Sequence, residues 1–145
     1  MAGPGMKSAG VTRTQPVSLV DLYPTLVEMC GLPKNARNEG KSLVPLLKDA
    51  KAKRDPAVST YLAGNHAVVS EKWRYIVYSD GTEELYDRKA DVNEFTNLAG
   101  DAKLAAVKKE LAAFAPKVSA KAAPQVTEYD FDFATYSYKR KAAPK

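Results

Sequence analysis

Trp73-Arg74-Tyr75-Ile76-Val77-Tyr78-Ser79-Asp80-Gly81-Thr82-Glu83-Glu84-Leu85-Tyr86-Asp87 reads as a β-hairpin. Two alternating aromatic and aliphatic runs flank Asp80-Gly81, a dipeptide suited to a tight turn whose two central residues both take φ > 0. In the first arm Trp73, Tyr75 and Val77 share one face, and Arg74, Ile76 and Tyr78 the other. Both faces carry bulk, which predicts a central strand partly covered on each side. Upstream, residues 57–63 and 67–70 read as two further strands, with Gly64-Asn65-His66 as the loop between them. Downstream, residues 101–115 read as a helix: Asp101 is placed to cap it, and Leu104, Val107, Leu111 and Phe114 form one apolar stripe. The pattern predicts an α+β unit, a small antiparallel sheet of about four strands packed on a C-terminal helix.

The first third has a different texture. Residues 17–30 carry apolar side chains at helical spacing, from Leu19 to Cys30. Ser18 and Asp21 resemble a capping box. Pro24 forbids a continuous helix through Val20, so a short first turn followed by a restart with Pro24 at the first helical position is expected. Gly31 supplies the C-terminal cap. Residues 42–47 can form one helical turn with Leu43, Leu46 and Leu47 inward, and residues 49–56 read as a charged, exposed loop. Beyond residue 117, acidic and aromatic residues alternate through Glu128-Tyr129-Asp130-Phe131-Asp132-Phe133, as expected of an extended arm or a disordered tail. Three regions follow: 1–56, 57–117 and 118–145.

The chain has 145 residues and a net charge of +5, with one cysteine and one histidine. Its lysines gather in stretches that read as solvated surface rather than one groove-facing element, which argues against nucleic acid as a partner. A single cysteine excludes an internal disulfide. No apolar run approaches the roughly 20 residues that span a bilayer. Residues 1–10 lack the apolar core of a secretory signal.

Few side chains point to chemistry. His66 alone cannot build a zinc site. Asn65 and His66 lie where recognition residues tend to sit, on a loop between strands. Cys30, on the apolar side of a helix end, reads as a small buried hydrophobe. Glu83, Glu84, Asp87 and Asp91 read as surface and turn residues, since adjacent strand positions point to opposite faces and cannot make a facing carboxylate pair. Arg74 and Arg88 read as structural ion-pair partners, although either could bind a sulfate or carboxylate.

Three sets of strings, taken in order, resemble the end of a sulfatase. The first runs from Val17-Ser18-Leu19-Val20-Asp21-Leu22-Tyr23-Pro24-Thr25-Leu26 through Cys30-Gly31-Leu32-Pro33 to Gly40-Lys41-Ser42-Leu43-Val44-Pro45-Leu46-Leu47. The second is Trp73-Arg74-Tyr75-Ile76 with Glu84-Leu85-Tyr86-Asp87, and the third is Asn97-Leu98-Ala99. Among sulfatases they are most similar to the iduronate-2-sulfatase-like enzymes, although relatives often carry Arg where Val69 stands. The resemblance implies that residues 17–30 are a late helix of a large α/β domain like that of alkaline phosphatase, here truncated, and that residues 57–117 are the small C-terminal subdomain. It implies a parent that hydrolyses sulfate esters with formylglycine and a calcium ion held by Asp and Asn or His residues. Formylglycine arises from Cys (or Ser) in Cys-x-Pro-x-Arg, and Cys30-Gly31-Leu32-Pro33-Lys34 does not match it. No catalytic or metal residue carries over. What the resemblance leaves for this chain is closure of the substrate pocket, with Asn65 and His66 as the residues lining it. The implied partners are an N-terminal catalytic domain and a sulfated small molecule or glycan, in a parent that is periplasmic or secreted. The rival expectation is a stand-alone, non-catalytic interaction module derived from that subdomain.

Overall fold

The computed structural model describes residues 10–118 and 129–141. Its centre is a four-stranded antiparallel meander in the order β1 (Ala57–Thr60), β2 (His66–Val69), β3 (Trp73–Val77), β4 (Glu83–Asp87). The register sets Val58 opposite Val68, Val68 opposite Tyr75 and Tyr75 opposite Leu85, so these four side chains share one face. A 3-10 turn at Ala102–Leu104 leads into α3 (Ala105–Ala112), which lays Leu111 on that face. Val68, Tyr75, Leu85 and Leu111 form the buried core, with Trp73, Val77, Leu104 and Val107 packed around it. Helix and sheet are also tied by charge: Glu83 accepts from the Tyr75 hydroxyl and from Lys108 Nζ at 2.7 Å. The fold is α+β, as the alternation of the hairpin and the stripe on the helix predict.

The turn between β3 and β4 differs from the expected one. Gly81 has φ +85°, but Asp80 keeps a negative φ, and the Gly81 N–H donates to the Tyr78 carbonyl at 3.0 Å. This is a three-residue loop with its left-handed residue at Gly81, in place of a two-residue turn. Asp80 stays right-handed because its carboxylate accepts from both the N–H and the hydroxyl of Thr82, at 2.9 and 2.7 Å. The outer edge of β4 is covered by chain. Leu98 N–H donates to the Leu85 carbonyl at 2.8 Å, and the Asn97 side chain accepts from Leu85 N–H and donates to the Glu83 carbonyl. An edge closed in this way cannot pair with another strand. Residues 91–98 hold turns only; Asp91 accepts from the Thr96 N–H, and Glu94 takes φ +56°.

The first third docks on itself through one motif, Asp21-Leu22-Tyr23-Pro24-Thr25. A 3-10 turn at Leu19–Asp21 precedes α1 (Leu22–Met29). Pro24 therefore lies at the third helical position rather than the first, where its missing N–H is still one of the helix's orphan donors. Asp21 accepts from Ser18 N–H at 2.7 Å and Lys41 N–H at 2.8 Å. The fully buried Thr25 hydroxyl accepts from Leu43 N–H at 2.8 Å. Together they clamp residues 40–43 onto α1 and position α2 (Val44–Lys48), whose Val44 and Leu46 are buried. At the far end of α1, Gly31 at φ +64° closes a Schellman cap, with Leu32 N–H reaching the Val27 carbonyl at 2.9 Å. Cys30, expected to be buried, is exposed. It occupies the cap itself, and Leu22, Tyr23, Leu26 and Met29 of the same helix are exposed as well.

Gly40 is where the clamp is tightest. A Cβ there would overlap the Val20 carbonyl oxygen, which is backbone and cannot swing away. Gly40→Ala is expected to cost about 1–3 kcal/mol of stability. Gly100→Ala, with open space at that position, is the matched control in a urea titration.

Residues 129–141 depart from the expected extended or disordered arm. They form a separate hairpin, β5 (Tyr129–Asp132) with β6 (Ser137–Arg140). Asp132 holds its turn by accepting from Ala134 N–H and the Thr135 hydroxyl, both at 2.8 Å, and Tyr129 meets Tyr138 edge-on at 5.5 Å. Every residue of both strands is exposed. The rest of the region 118–145, apart from Val118 and Lys141, lies outside the described residues.

Candidate functional site

Beside β1 the first third of the chain and the sheet-and-helix unit meet around a cleft of about 430 Å³. Val20 and Asp21 line it from the first turn, Lys41 and Arg54 from the connecting segments, Val58 and Thr60 from β1, and Phe114 and Pro116 from the end of α3. Its size is that of a small-molecule site. Its charge is organised: Arg54 Nη2 pairs with Asp21 Oδ2 at 2.6 Å and also donates to the Lys41 carbonyl at 3.1 Å, while Lys41 pairs with Asp55. Residues 49–56 were expected to form an exposed loop, yet the Arg54 side chain is largely buried because it turns back onto Asp21. Burial pushes the Asp21 carboxyl up, but the Ser18 and Lys41 N–H groups and the Arg54 guanidinium outweigh it and hold the carboxyl below its ordinary value.

The two residues expected to line a pocket, Asn65 and His66, are not among those that line this cleft, and both turn their polar groups onto neighbouring chain. His66 is a strand residue instead of a loop one, the first of β2, paired with Thr60 and facing the same side as Val68. It is buried, and its Nδ1 shares a hydrogen bond of 2.9 Å with the Thr60 hydroxyl. The pairing of Thr60 with His66 extends the ladder by one residue and draws the imidazole under the sheet. Asn65 donates to the Tyr61 and Ala63 carbonyls at 2.9 and 3.4 Å and accepts from Ser79 N–H at 3.1 Å. It staples the β1–β2 loop to the tip of the β3–β4 hairpin. What the loop presents outward is Tyr61 and Leu62, which the sequence reading did not single out; the signal was an aromatic residue just before Gly64-Asn65.

Asn65→Ala removes all three of these bonds. It is expected to cost about 1–2 kcal/mol and, more diagnostically, to speed hydrogen exchange at Tyr61 and Ser79 while Val68 stays protected. Uniform loss of protection across the sheet would contradict the staple.

Other candidates resolve as structural pairs. Arg74 Nη1 meets Glu94 Oε2 at 2.9 Å, and Arg88 Nη1 donates to the Ser70 carbonyl at 3.0 Å. Glu84 accepts from the Tyr78 and Tyr86 hydroxyls, each at 3.0 Å. The Lys108 ammonium, followed by Tyr75, holds Glu83 below the usual carboxylate range. For the calcium ion that the sulfatase resemblance implies, no three His, Cys, Asp or Glu side chains converge among the described residues. Those residues do not fit a metal of that kind, and Cys30 lacks the surroundings of the formylglycine motif. No described helix is long and apolar enough to cross a membrane.

A sequence profile described as N-sulphoglucosamine sulphohydrolase, C-terminal, matches residues 1–121. A sulfatase of Formosa agariphila is 42% identical over 120 residues, covering 82% of this chain and 24% of that protein. Human arylsulfatase K is 34% identical over 115 residues, covering 68% of this chain and 21% of that protein. A solved 2-O GAG sulfatase superposes with a TM-score of 0.55 at 32% identity, over 64% of this chain and 22% of that one. The chain thus spans about a quarter of the length of the relatives it matches. On the order of its motifs, the sheet-and-helix fold and a profile that takes in most of its length, the chain belongs to the N-sulphoglucosamine sulphohydrolase C-terminal family and is a sulfatase C-terminal domain.

Proposed function

We propose that this chain works as the C-terminal part of a sulfate ester hydrolase, closing the substrate cleft of a catalytic domain that supplies every reacting group. The observation that carries this is the outer face of α1. Leu19, Val20, Leu22, Tyr23, Leu26 and Met29 form an exposed apolar surface on an element that is otherwise tightly clamped. A surface of that kind on a soluble protein marks an interaction site, and here it fits the body of the α/β domain. Formylglycine and calcium belong to that domain. Residues 1–56 form its end and linker, and residues 57–117 the closing subdomain. Asn65 and His66 serve the pocket by fixing the loop at its rim. The substrate is a sulfated glycan. Similarity to a 2-O GAG sulfatase supports this class, and the strings shared with iduronate-2-sulfatase-like enzymes point to a 2-sulfated sugar acid at the chain end.

The test is a graft. The Formosa agariphila sulfatase truncated of its C-terminal quarter should release no sulfate, and the same truncation joined to this chain should recover it. The 145-residue chain alone should turn over no aryl sulfate. Turnover by the chain alone, or a well-folded graft without activity, would overturn the proposal. The second of these results, with a cooperative monomer in solution, would favour the interaction module instead.

A further inference from the structure

We infer that the hairpin of residues 129–141 is a self-association element, whose aromatic face stacks across a two-fold axis on the same face of a second copy of this chain. The inference goes beyond the sulfatase reading and depends on none of its catalytic claims. The register sorts the hairpin into two unlike faces. Tyr129 and Phe131 lie on one side of β5, and their cross-strand partners on that side are Arg140 and Tyr138. Tyr129 meets Tyr138 edge-on, and Phe133 meets Phe131 edge-on at 4.8 Å, so four rings form one continuous surface. The other side pairs Asp130 with Lys139 and Asp132 with Ser137, and Lys141 Nζ reaches Asp130 at 3.1 Å. An antiparallel ribbon divided in this way buries its apolar side and keeps its polar side in water. Among the described residues nothing covers the apolar side: Phe133 is 79% and Tyr138 70% exposed. A two-stranded ribbon is marginal in water without such cover.

Position, charge and size select a second copy as the cover. The family profile ends at residue 121, so the hairpin lies outside the matched domain, and the described part of that domain leaves both strands exposed. The aromatic face is complementary to itself. Its charged group, Arg140, stands at the open end of the hairpin opposite Tyr129, and Phe133 stands at the turn end. An antiparallel two-fold stack sets the Arg140 of each copy over the Phe133 of the other, a cation against a ring at both ends. The stack brings no carboxylate onto the rings, because Asp130 and Asp132 are on the polar side. A fully covered aromatic side chain buries roughly 150–250 Å², so four rings that already cover one another in part offer about 400–600 Å² per copy. That is the low end of specific interfaces and suits a reversible dimer rather than an obligate one. The chain between Val118 and Tyr129 reaches at most about 35 Å, long enough for two hairpins to meet while the domains that carry them stay apart.

The experiment is sedimentation equilibrium of the full 145-residue chain from micromolar to millimolar concentration, with three variants beside it. The parent chain should convert from monomer to dimer. Phe131→Ser combined with Tyr138→Ser should weaken the dimer about tenfold or more, while the urea midpoint of the four-stranded unit stays where it was. Leu26→Ser, on the exposed side of α1, and Phe95→Ala, an exposed ring elsewhere, should leave the dimer unchanged. In a mixture of isotope-labelled and unlabelled chains, nuclear Overhauser effects should join Phe133 of one copy to Arg140 of the other. A chain that stays monomeric throughout overturns the inference. So does a dimer that persists in the Phe131/Tyr138 double variant, or one that Leu26→Ser abolishes, which would place the contact on α1. A monomer whose rings contact Leu22 or Met29 of its own molecule would assign the aromatic face to α1 instead, and a monomer whose ring signals shift only in the graft would assign it to the catalytic domain. The graft also separates the two claims: an inactive, folded graft whose chain still dimerises through the hairpin removes the sulfatase reading and leaves this inference standing.

Discussion

Leu85→Ala is expected to destabilise the domain by roughly 2–5 kcal/mol, a large part of the about 5–15 kcal/mol that holds an ordinary domain together. Leu85 is 0% exposed, at the centre of β4, between Tyr75 on the neighbouring strand and Leu111 on the helix. Its removal leaves a cavity that the sheet cannot collapse into. The backbone of β4 is held on both sides, by β3 and by Asn97 and Leu98. The measurement is the urea midpoint at unchanged slope. Ile76→Ala, on the half-buried opposite face of β3, should cost much less. Equal losses at the two positions would mean that the core is not on the helix side.

Breaking the Asp21–Arg54 pair should rival that effect. Arg54→Ala leaves the Asp21 carboxylate buried without its cation, a change that typically costs about 3–5 kcal/mol. It also frees the Lys41 and Ser42 carbonyls that Arg54 holds. Replacing both partners together should cost less than the sum of the two single changes, because neither is then left uncompensated. The same pair sets an acid limit. The folded-state value of Asp21 lies below 3.8, so its stabilisation is complete above the unfolded value and is lost as pH falls through the lower folded one. The midpoint of urea unfolding should therefore drop on the acid side of pH 3.8, and Asp21→Asn should flatten that slope. Glu83, also held low by Lys108, contributes with the same sign, so the comparison is made in a Glu83→Gln background. An unchanged acid slope in the double variant would remove Asp21 from the account.

The sequence by itself determined the sheet, the helix on it and the family. Alternation at period 2 in residues 73–77 and 83–87, and a stripe at helical period in residues 104–111, leave one way to bury Tyr75, Leu85 and Leu111 together, and the ordered strings carry the relationship to sulfatases. Periodicity reports which face is apolar; it is silent on which polar group meets which. Only the tertiary structure decided that Asp80 stays right-handed, because its carboxylate captures Thr82, and that Asp21, besides closing the expected capping box with Ser18, is the hub of a clamp, because Lys41 and Arg54 reach it from 20 and more residues away. Only the structure moved His66 from loop to strand, by one more pair in the β1–β2 ladder, and turned Asn65 inward onto Ser79. Those two shifts leave Tyr61 and Leu62 as the apolar side chains that the loop exposes. The reason is general to such sites: local pattern fixes elements through burial, while long-range hydrogen bonds, invisible to any window of sequence, decide which side chains remain free to act.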